Sequence, residues 1–286
     1  MATVRDLRDR IRSLKNTQQI TKAMKQVAAA KIRRAEMAQR QARPYAEAMS
    51  AMLQDLMDAV GVVNHPFLRP GNAGAPKGVI LMTADKGLAG AFNSNVIRLG
   101  EQLARDAGKV RWYAVGAKAR GAANRFTQTT DGFSVGLSAG PKLDIARQVA
   151  ARVTDDFVAG AISEIVLVQS KLVSMTVQRP ESRTLIPIVA ERREASTGPR
   201  AEVEFAPSPE AVLTKLLPKY LEFTLYSAML ETDAAFFAAQ LIAMSNATDN
   251  AGKLIDDLTL QMNKARQAAI TKEILEIVGG AEALAG

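Results

Sequence analysis

The last quarter of the chain carries apolar and small side chains at alternating steps of four and three residues. Such a repeat averages about 3.5 residues, which is the period of a left-handed coiled coil. The stretch from Lys219 to Val278 contains no proline and a single glycine, Gly252, so it predicts one helix on the order of 100 Å long. A helix of that length needs a partner helix to cover its seam. The seam residues are Phe223, Ser227, Leu230, Ala234, Phe237, Leu241, Met244, Thr248, Ala251, Ile255, Leu258, Met262, Ala265 and Ala269.

The first quarter of the chain, residues 3–58, has a second helical pattern and supplies the partner. Its seam begins with four apolar residues and is expected to resume one phase later with three more: Val4, Leu7, Ile11 and Leu14, then Ile20, Met24 and Val27. Pro44 lacks the amide hydrogen that an interior turn needs, so we expect a kink or a weak point there. Residues 1–60 and 209–286 are therefore predicted to be the two helices of one shaft.

The hydrophobic period changes between these two helices, after a loop-rich boundary at 61–77. Short apolar runs alternate with amphipathic helical patterns, in the chain order 79–82, 93–107, 110–115, 117–126, 141–159 and 164–170. This alternation predicts a small, Rossmann-like α/β domain with a mostly parallel sheet over residues 77–190. Residues 172–190 predict a hairpin, and Pro209 suits the first turn of the C-terminal helix.

Positive charge is concentrated at the amino end of the chain. Residues 1–43 contain twelve Lys/Arg and three Asp/Glu, a net charge of +9, whereas the whole chain carries +8. The basic segment has three interpretations: a solvated helix face, a surface for nucleic acid, or a surface for an acidic protein partner. Asp6 and Asp9 argue against an organellar transit peptide, because such peptides are poor in acidic residues.

Catalytic chemistry has little support in the sequence. The chain has no cysteine, which excludes thiol catalysis and thiolate metal sites. The only histidine, His65, lies in the loop-rich boundary and is expected to be solvated. The loop Gly87–Gly90 follows a predicted strand, but neither of the common glycine-rich phosphate-binding patterns occurs. Asp85 is expected to act as a local pair or cap. An α/β nucleotide hydrolase and a basic coiled-coil scaffold that binds nucleic acid remain as alternatives.

Three groups of residues resemble the gamma subunit family of F-type ATP synthases, and they run in order from end to end of the chain. Lys86 keeps the positive charge where the commonest family pattern has arginine. Ala89 and Gln240 also depart from that pattern, and Gln240 is expected to weaken one contact of the shaft. The matching residues are Asn16, Thr17, Gln18, Ile20, Thr21, Lys22, Ala23, Met24, Val27, Ala28, Ala29, Lys31 and Arg43-Pro44-Tyr45; then Thr83, Asp85, Lys86, Gly87, Leu88, Gly90 and Asn93; then Ala247-Thr248-Asp249-Asn250, Asn263-Lys264-Ala265-Arg266-Gln267, Ile270-Thr271, Glu273, Glu276-Ile277-Val278, Gly279 and Ala281.

The resemblance implies an antiparallel coiled coil of the two terminal helices, standing as a central rotor shaft inside a ring of alternating alpha and beta subunits. It also implies a peripheral membrane protein without catalytic chemistry. The absence of a presequence favours a bacterial protein at the cytoplasmic face of the inner membrane, with a processed organellar chain as the alternative. The epsilon subunit and the c-ring are expected partners near the α/β domain, and an inhibitory subunit is a further candidate, whereas nucleic acid is not expected. ATP, ADP and Mg would be bound by the alpha and beta partners, with no cofactor or metal on this chain.

The resemblance also implies which residues meet the ring. Two groups are expected to contact the alpha and beta subunits: Lys22, Met24 and Lys25 on the first helix, and Arg266, Gln267, Thr271, Glu273 and Glu276 on the last. The apolar end of the last helix is expected to sit in an apolar collar and act as a bearing; its residues are Ile274, Ile277 and Val278.

Overall fold

The computed structural model describes residues 3–60, 65–126, 133–188 and 208–285. Helix α1 spans Val4–Val60 and helix α5 spans Pro209–Ala285. A 3-10 turn at Pro66–Leu68 follows α1. The elements between are β1 Lys77–Met82, α2 Phe92–Ala107, β2 Val110–Val115, α3 Ala117–Ala123, β3 Ser134–Val135, α4 Lys142–Val158, β4 Ile165–Leu172 and β5 Gln178–Ile186. Two long terminal helices and a small α/β domain were predicted, and this fold class is confirmed.

The chain forms two compact units. The coiled-coil unit consists of Met1–Ala29 and Gln240–Gly286, and the central unit consists of Ala30–Ala239. Both long helices therefore contribute to both units. Helix α1 continues through Pro44 and α5 through Pro218, so neither proline ends its helix. Within the described residues, no helix is long and apolar enough to cross a membrane.

In the coiled-coil unit, α1 and α5 run antiparallel. The Gln18 amide donates to the Thr248 carbonyl oxygen over 3.4 Å, and Lys25 Nζ donates to Ser245 Oγ over 3.0 Å. Residue numbers thus fall along α5 as they rise along α1. The apolar side chains buried in this unit are Leu7, Ile11, Ala28, Met244, Ala251 and Ile255.

The seam on α1 keeps one phase, which corrects the expected shift at Ile20. Ile20 is 60% exposed and Val27 is 54% exposed, whereas Thr21 is only 8% exposed. Thr21 can occupy the seam because its hydroxyl accepts a 2.8 Å hydrogen bond from Thr248 Oγ1. Since a buried hydroxyl is tolerated when it is hydrogen-bonded, a polar residue replaces an apolar one here. A pattern of hydrophobic residues alone does not reveal this.

The sheet of the central unit has the strand order β3-β2-β1-β4-β5. The first four strands are parallel, and β5 returns antiparallel to β4. The parallel part has the order of one mononucleotide-binding half of a Rossmann fold. The hairpin over 172–190 is confirmed as β4–β5. Strand β3 was not predicted, because two residues cannot carry a periodic pattern.

Both faces of the sheet are covered, as continuous apolar strands require. Val79 and Leu81 of β1 point to the face covered by α2 and α3, together with the only tryptophan, Trp112, which is fully buried. Ile80 and Met82 point to the other face. That face is covered by residues of α4, α1 and α5, among them Ile145, Val149, Leu53, Leu56, Leu213, Leu217, Leu221 and Leu225.

Candidate interaction surface

The first candidate group, Lys22, Met24 and Lys25, lies on α1 in the coiled-coil unit. Lys22 and Lys25 are exposed and Met24 is half-buried. The bond from Lys25 Nζ to Ser245 Oγ holds this ammonium on the side of α1 that faces α5. Because both lysines are exposed, they remain available to an acidic partner, and the bond to Ser245 holds Lys25 in one orientation.

An exposed apolar stripe accompanies these lysines. Ile20, Met24 and Val27 follow the spacing i, i+4, i+7 and so share one face of α1. Ile20 and Val27 are more than half exposed. We define these three residues as the outer stripe. The hydrophobic pattern assigns Ile20 and Val27 to the seam and so does not identify them as surface residues. Their positions are out of phase with Leu7 and Ile11, and this difference in phase could have indicated a separate, exposed face.

The second candidate group lies on the last turns of α5. Every residue from 266 to 280 is exposed, which includes all five predicted contact residues. Their described interactions are local to the helix: Thr271 Oγ1 donates to the Gln267 carbonyl over 2.9 Å, and Lys272 lies 3.5 Å from Glu276. The structure therefore places this group beyond the buried seam, apart from Lys22, Met24 and Lys25.

The predicted bearing residues are also exposed. Ile274, Ile277 and Val278 each expose more than half of their surface, and Leu275 does the same. Fully burying one such side chain is worth about 1.5–3 kcal/mol. A cluster of this size on one helix end is typical of a surface that a partner covers.

The loop after β1 has a structural role, because its Asp85 side chain holds neighbouring backbone segments together. Asp85 accepts hydrogen bonds from the backbone amides of Ala117, Leu137 and Ser138 over 2.8–3.0 Å. Burial acts to raise the pKa of Asp85, but these three donors outweigh it and hold the pKa below its usual value. Gly116 has φ +98°, and a Cβ there would lie 2.1 Å from the Thr83 carbonyl oxygen. Asp85 therefore acts as a cap, which is one of the two roles predicted for it.

Two further observations bear on catalysis. His65 caps the Pro66–Leu68 turn, because its Nδ1 accepts from the Phe67 amide over 3.2 Å, and burial lowers its pKa. It therefore has a structural role in place of the expected solvated one. Among the described residues, no group of three or more His, Cys, Asp or Glu could hold a metal ion.

This architecture defines a class of subunit that acts through its surfaces: an antiparallel coiled coil with charged and apolar residues facing outward, joined to a small α/β domain. Comparison with known proteins identifies the family. The family model described as ATP synthase matches residues 3–284. A protein named ATP synthase gamma chain from Desulforamulus reducens is 46% identical over 99% of this chain and 100% of its own length. The corresponding protein of Heliobacterium modesticaldum is 43% identical over the same shares.

Solved structures agree on the fold. A chain of the Euglena gracilis mitochondrial ATP synthase, in an assembly described as OSCP/F1/c-ring, matches 98% of this chain and 94% of its own length, with a TM-score of 0.68 and 18% identity. The chain belongs to the ATP synthase gamma-chain family. Its role is accordingly that of a rotor shaft, a subunit of ATP synthase with no catalysis of its own.

Proposed function

We propose that the outward residues of the coiled-coil unit drive a surrounding ring of alternating alpha and beta subunits as the shaft turns. The observation that carries this proposal is the outer stripe beside Lys22 and Lys25, an apolar surface with cations at its edge. Such a surface fits a partner that presents apolar and acidic groups together. Arg266, Gln267, Thr271, Glu273 and Glu276 form the second contact group, and Ile274, Ile277 and Val278 sit in an apolar collar.

The two helices of the coiled-coil unit differ in charge, which supplies the asymmetry that a rotor needs. Residues 1–29 contain seven Lys/Arg and two Asp/Glu, a net charge of +5, whereas residues 240–286 contain four Lys/Arg and six Asp/Glu, a net charge of −2. A fixed group on the ring therefore meets a different potential as each helix passes it. The ring subunit is biased toward one state because its contact energy with the shaft differs between states.

Magnitudes indicate that the apolar contacts carry much of this bias. Moving a two-state equilibrium from 1:99 to 99:1 requires about 5.5 kcal/mol. An exposed ion pair contributes only about 0–1 kcal/mol, whereas burying one large aliphatic side chain contributes about 1.5–3 kcal/mol. Because Ile20 and Val27 are only 60% and 54% exposed in the free chain and Met24 is less so, the three together contribute about 2–4 kcal/mol. That is a large part of the required free energy and more than Lys22 and Lys25 contribute.

The remaining partners follow from the same role. We place epsilon and the c-ring against the central unit and the complex at the cytoplasmic face of a bacterial inner membrane. The bacterial relatives support the membrane assignment. The c-ring in the Euglena gracilis assembly supports that partner. ATP, ADP and Mg bind to the alpha and beta subunits in this proposal, an inhibitory subunit is a further partner, and nucleic acid is not one.

Met24→Lys tests the proposal in the assembled complex. The added ammonium lies among Lys22 and Lys25 and gives a new ion pair with an acidic group of the ring, so that one rotational state is held too strongly. ATP hydrolysis should persist while proton pumping per ATP falls. Met37→Lys is the matched control, because Met37 is an exposed methionine on the same helix but in the central unit. Unchanged pumping per ATP in Met24→Lys would contradict the proposal.

A further inference from the structure

In the central unit, polar side chains of the α/β domain reach acidic side chains of α5. Lys142 Nζ lies 2.6 Å from Asp233, and the Gln169 amide donates to Glu231 over 3.3 Å. Arg147 lies 3.8 Å from Glu222. The α/β domain is therefore attached to α5 through a line of directional contacts.

Around residues 231–239 of α5, the apolar contact with the domain is smaller than that of the row Leu213–Leu225, which packs against the sheet. Ala84, Ala89 and Phe92, from the loop after β1 and the start of α2, form one cluster with Ala235, Phe236 and Ala239 of α5. Alanine offers little area, and hydrophobic contact is non-directional. Such a surface holds two elements together but resists sliding or rotation between them poorly. In this stretch the polar contacts supply the directional constraint that the local apolar contact lacks, in addition to the packing of the leucine row on the sheet.

Of the two ion pairs, Lys142–Asp233 is the more constrained. Its side chains are 23% and 20% exposed, whereas Arg147 is 54% exposed and more distant from its partner. Lys142 is the first residue of α4, where a cation opposes the helix dipole and a carboxylate is favoured. Lys142 is thus poorly placed for the stability of its own helix. The nearby Asp233 carboxylate offsets that effect.

We propose that Lys142 and Asp233 are positioning residues that fix the orientation of the α/β domain on α5 and transmit torque between them. The inference rests on the proposed rotor function and adds a contact inside the rotor to it. A partly buried ion pair suits this role because it requires one arrangement of its two partners. A turning load applied to the α/β domain then reaches α5 with little loss to sliding.

The test uses the complete ATP synthase carrying variants of this chain, in inverted membrane vesicles. ATP-driven proton pumping and ATP hydrolysis are measured in the same vesicles, and their ratio is the readout. Asp233→Asn and Lys142→Met should each lower pumping per ATP by about half or more, since removing one partner leaves the other charge partly buried and unpaired. The swapped double variant, Lys142→Asp with Asp233→Lys, should restore most of the ratio.

Glu47→Gln is the matched control, because it breaks the exposed Arg43–Glu47 pair, whose side chains are 77% and 64% exposed; its ratio should equal that of the wild type. A wild-type ratio in Asp233→Asn would overturn the inference, as would a swapped variant as defective as the single ones. If Asp233→Asn impairs assembly, recovery of assembly in the swapped variant supports the pair and no recovery opposes it. Failure of the wild-type chain to restore coupled pumping would count against the rotor function itself.

Discussion

Replacing Ile20 by alanine tests where the seam of the coiled coil lies. The hydrophobic pattern places Ile20 inside the seam, and the structure places it outside with 60% of its surface exposed. Ile11 lies on the same helix and in the same unit but is only 8% exposed. The same chemical deletion can therefore be made once on each side of α1.

The expected free energies differ between the two sites. Changing isoleucine to alanine removes three carbon groups, each worth about 0.8 kcal/mol when buried, or about 2.4 kcal/mol in total. Because Ile20 is 60% exposed, Ile20→Ala should lower the free energy of unfolding of the free chain by only about 1 kcal/mol. The other part, about 1.4 kcal/mol, contributes only when a partner covers Ile20. Ile11→Ala should cost about 2–5 kcal/mol in the free chain.

The assay has two parts. Urea unfolding of the purified chain, followed by the helical circular dichroism signal, compares the free energies of unfolding of Ile11→Ala and Ile20→Ala. Binding of each chain to the remaining subunits then measures the surface contribution. Ile20→Ala should weaken this binding about tenfold, which is the equivalent of 1.4 kcal/mol. Equal losses of unfolding free energy at the two positions would refute the assignment of Ile20 to the surface.

Two other predictions concern the end of α5 and the loop after β1. Deleting residues from Ile274 onward should leave the free chain as stable as before, since the apolar side chains described there, from Ile274 to Val278, are exposed. The deletion should widen the angular distribution of the shaft in single-molecule rotation, and an unchanged distribution would exclude the bearing. Asp85→Asn should destabilise the α/β domain by about 1–3 kcal/mol at neutral pH through lost charge-assisted bonds, followed by the fluorescence of Trp112. Because the folded-state pKa of Asp85 lies below its usual value, its stabilisation is present above the unfolded pKa and disappears as pH falls through the folded pKa. The gap between wild type and variant should therefore narrow in acid, and a gap that widens would contradict this.

The long-range organisation of the fold was predictable because it depends on periodic burial. The seam residues Met244, Ala251 and Ile255 are buried as the 3.5-residue repeat predicts. Strand β1 from Val79 to Met82 and strand β4 from Ile165 to Val168 are continuous apolar runs, and β2 is apolar except for Arg111. These strands are apolar because both of their faces are covered. These patterns repeat over enough residues to be seen in one sequence.

Other features depend on specific partners and were not predictable. The sequence shows one seam on α5, but Leu213, Leu217, Leu221 and Leu225 form a second buried row against the sheet. Which of two apolar rows faces which neighbour depends on the tertiary arrangement. The outer stripe also depends on a specific tertiary contact. The outer stripe became visible only once Thr21 was found in the seam, bonded to Thr248.

The bonds among Gln18, Thr21 and Thr248 also restrict how the lengths of the two terminal helices can change. An apolar seam repeats every heptad, so two helices can slide past each other by seven residues and still match apolar to apolar. A polar layer allows only one alignment, because any other leaves its hydroxyl and amide groups buried without partners. Inserting or deleting a heptad in α1 on one side of this layer, without the same change in α5, would shift every contact between the insertion or deletion and that end of the coiled coil. The lengths of α1 and α5 on each side of the layer are therefore expected to change together.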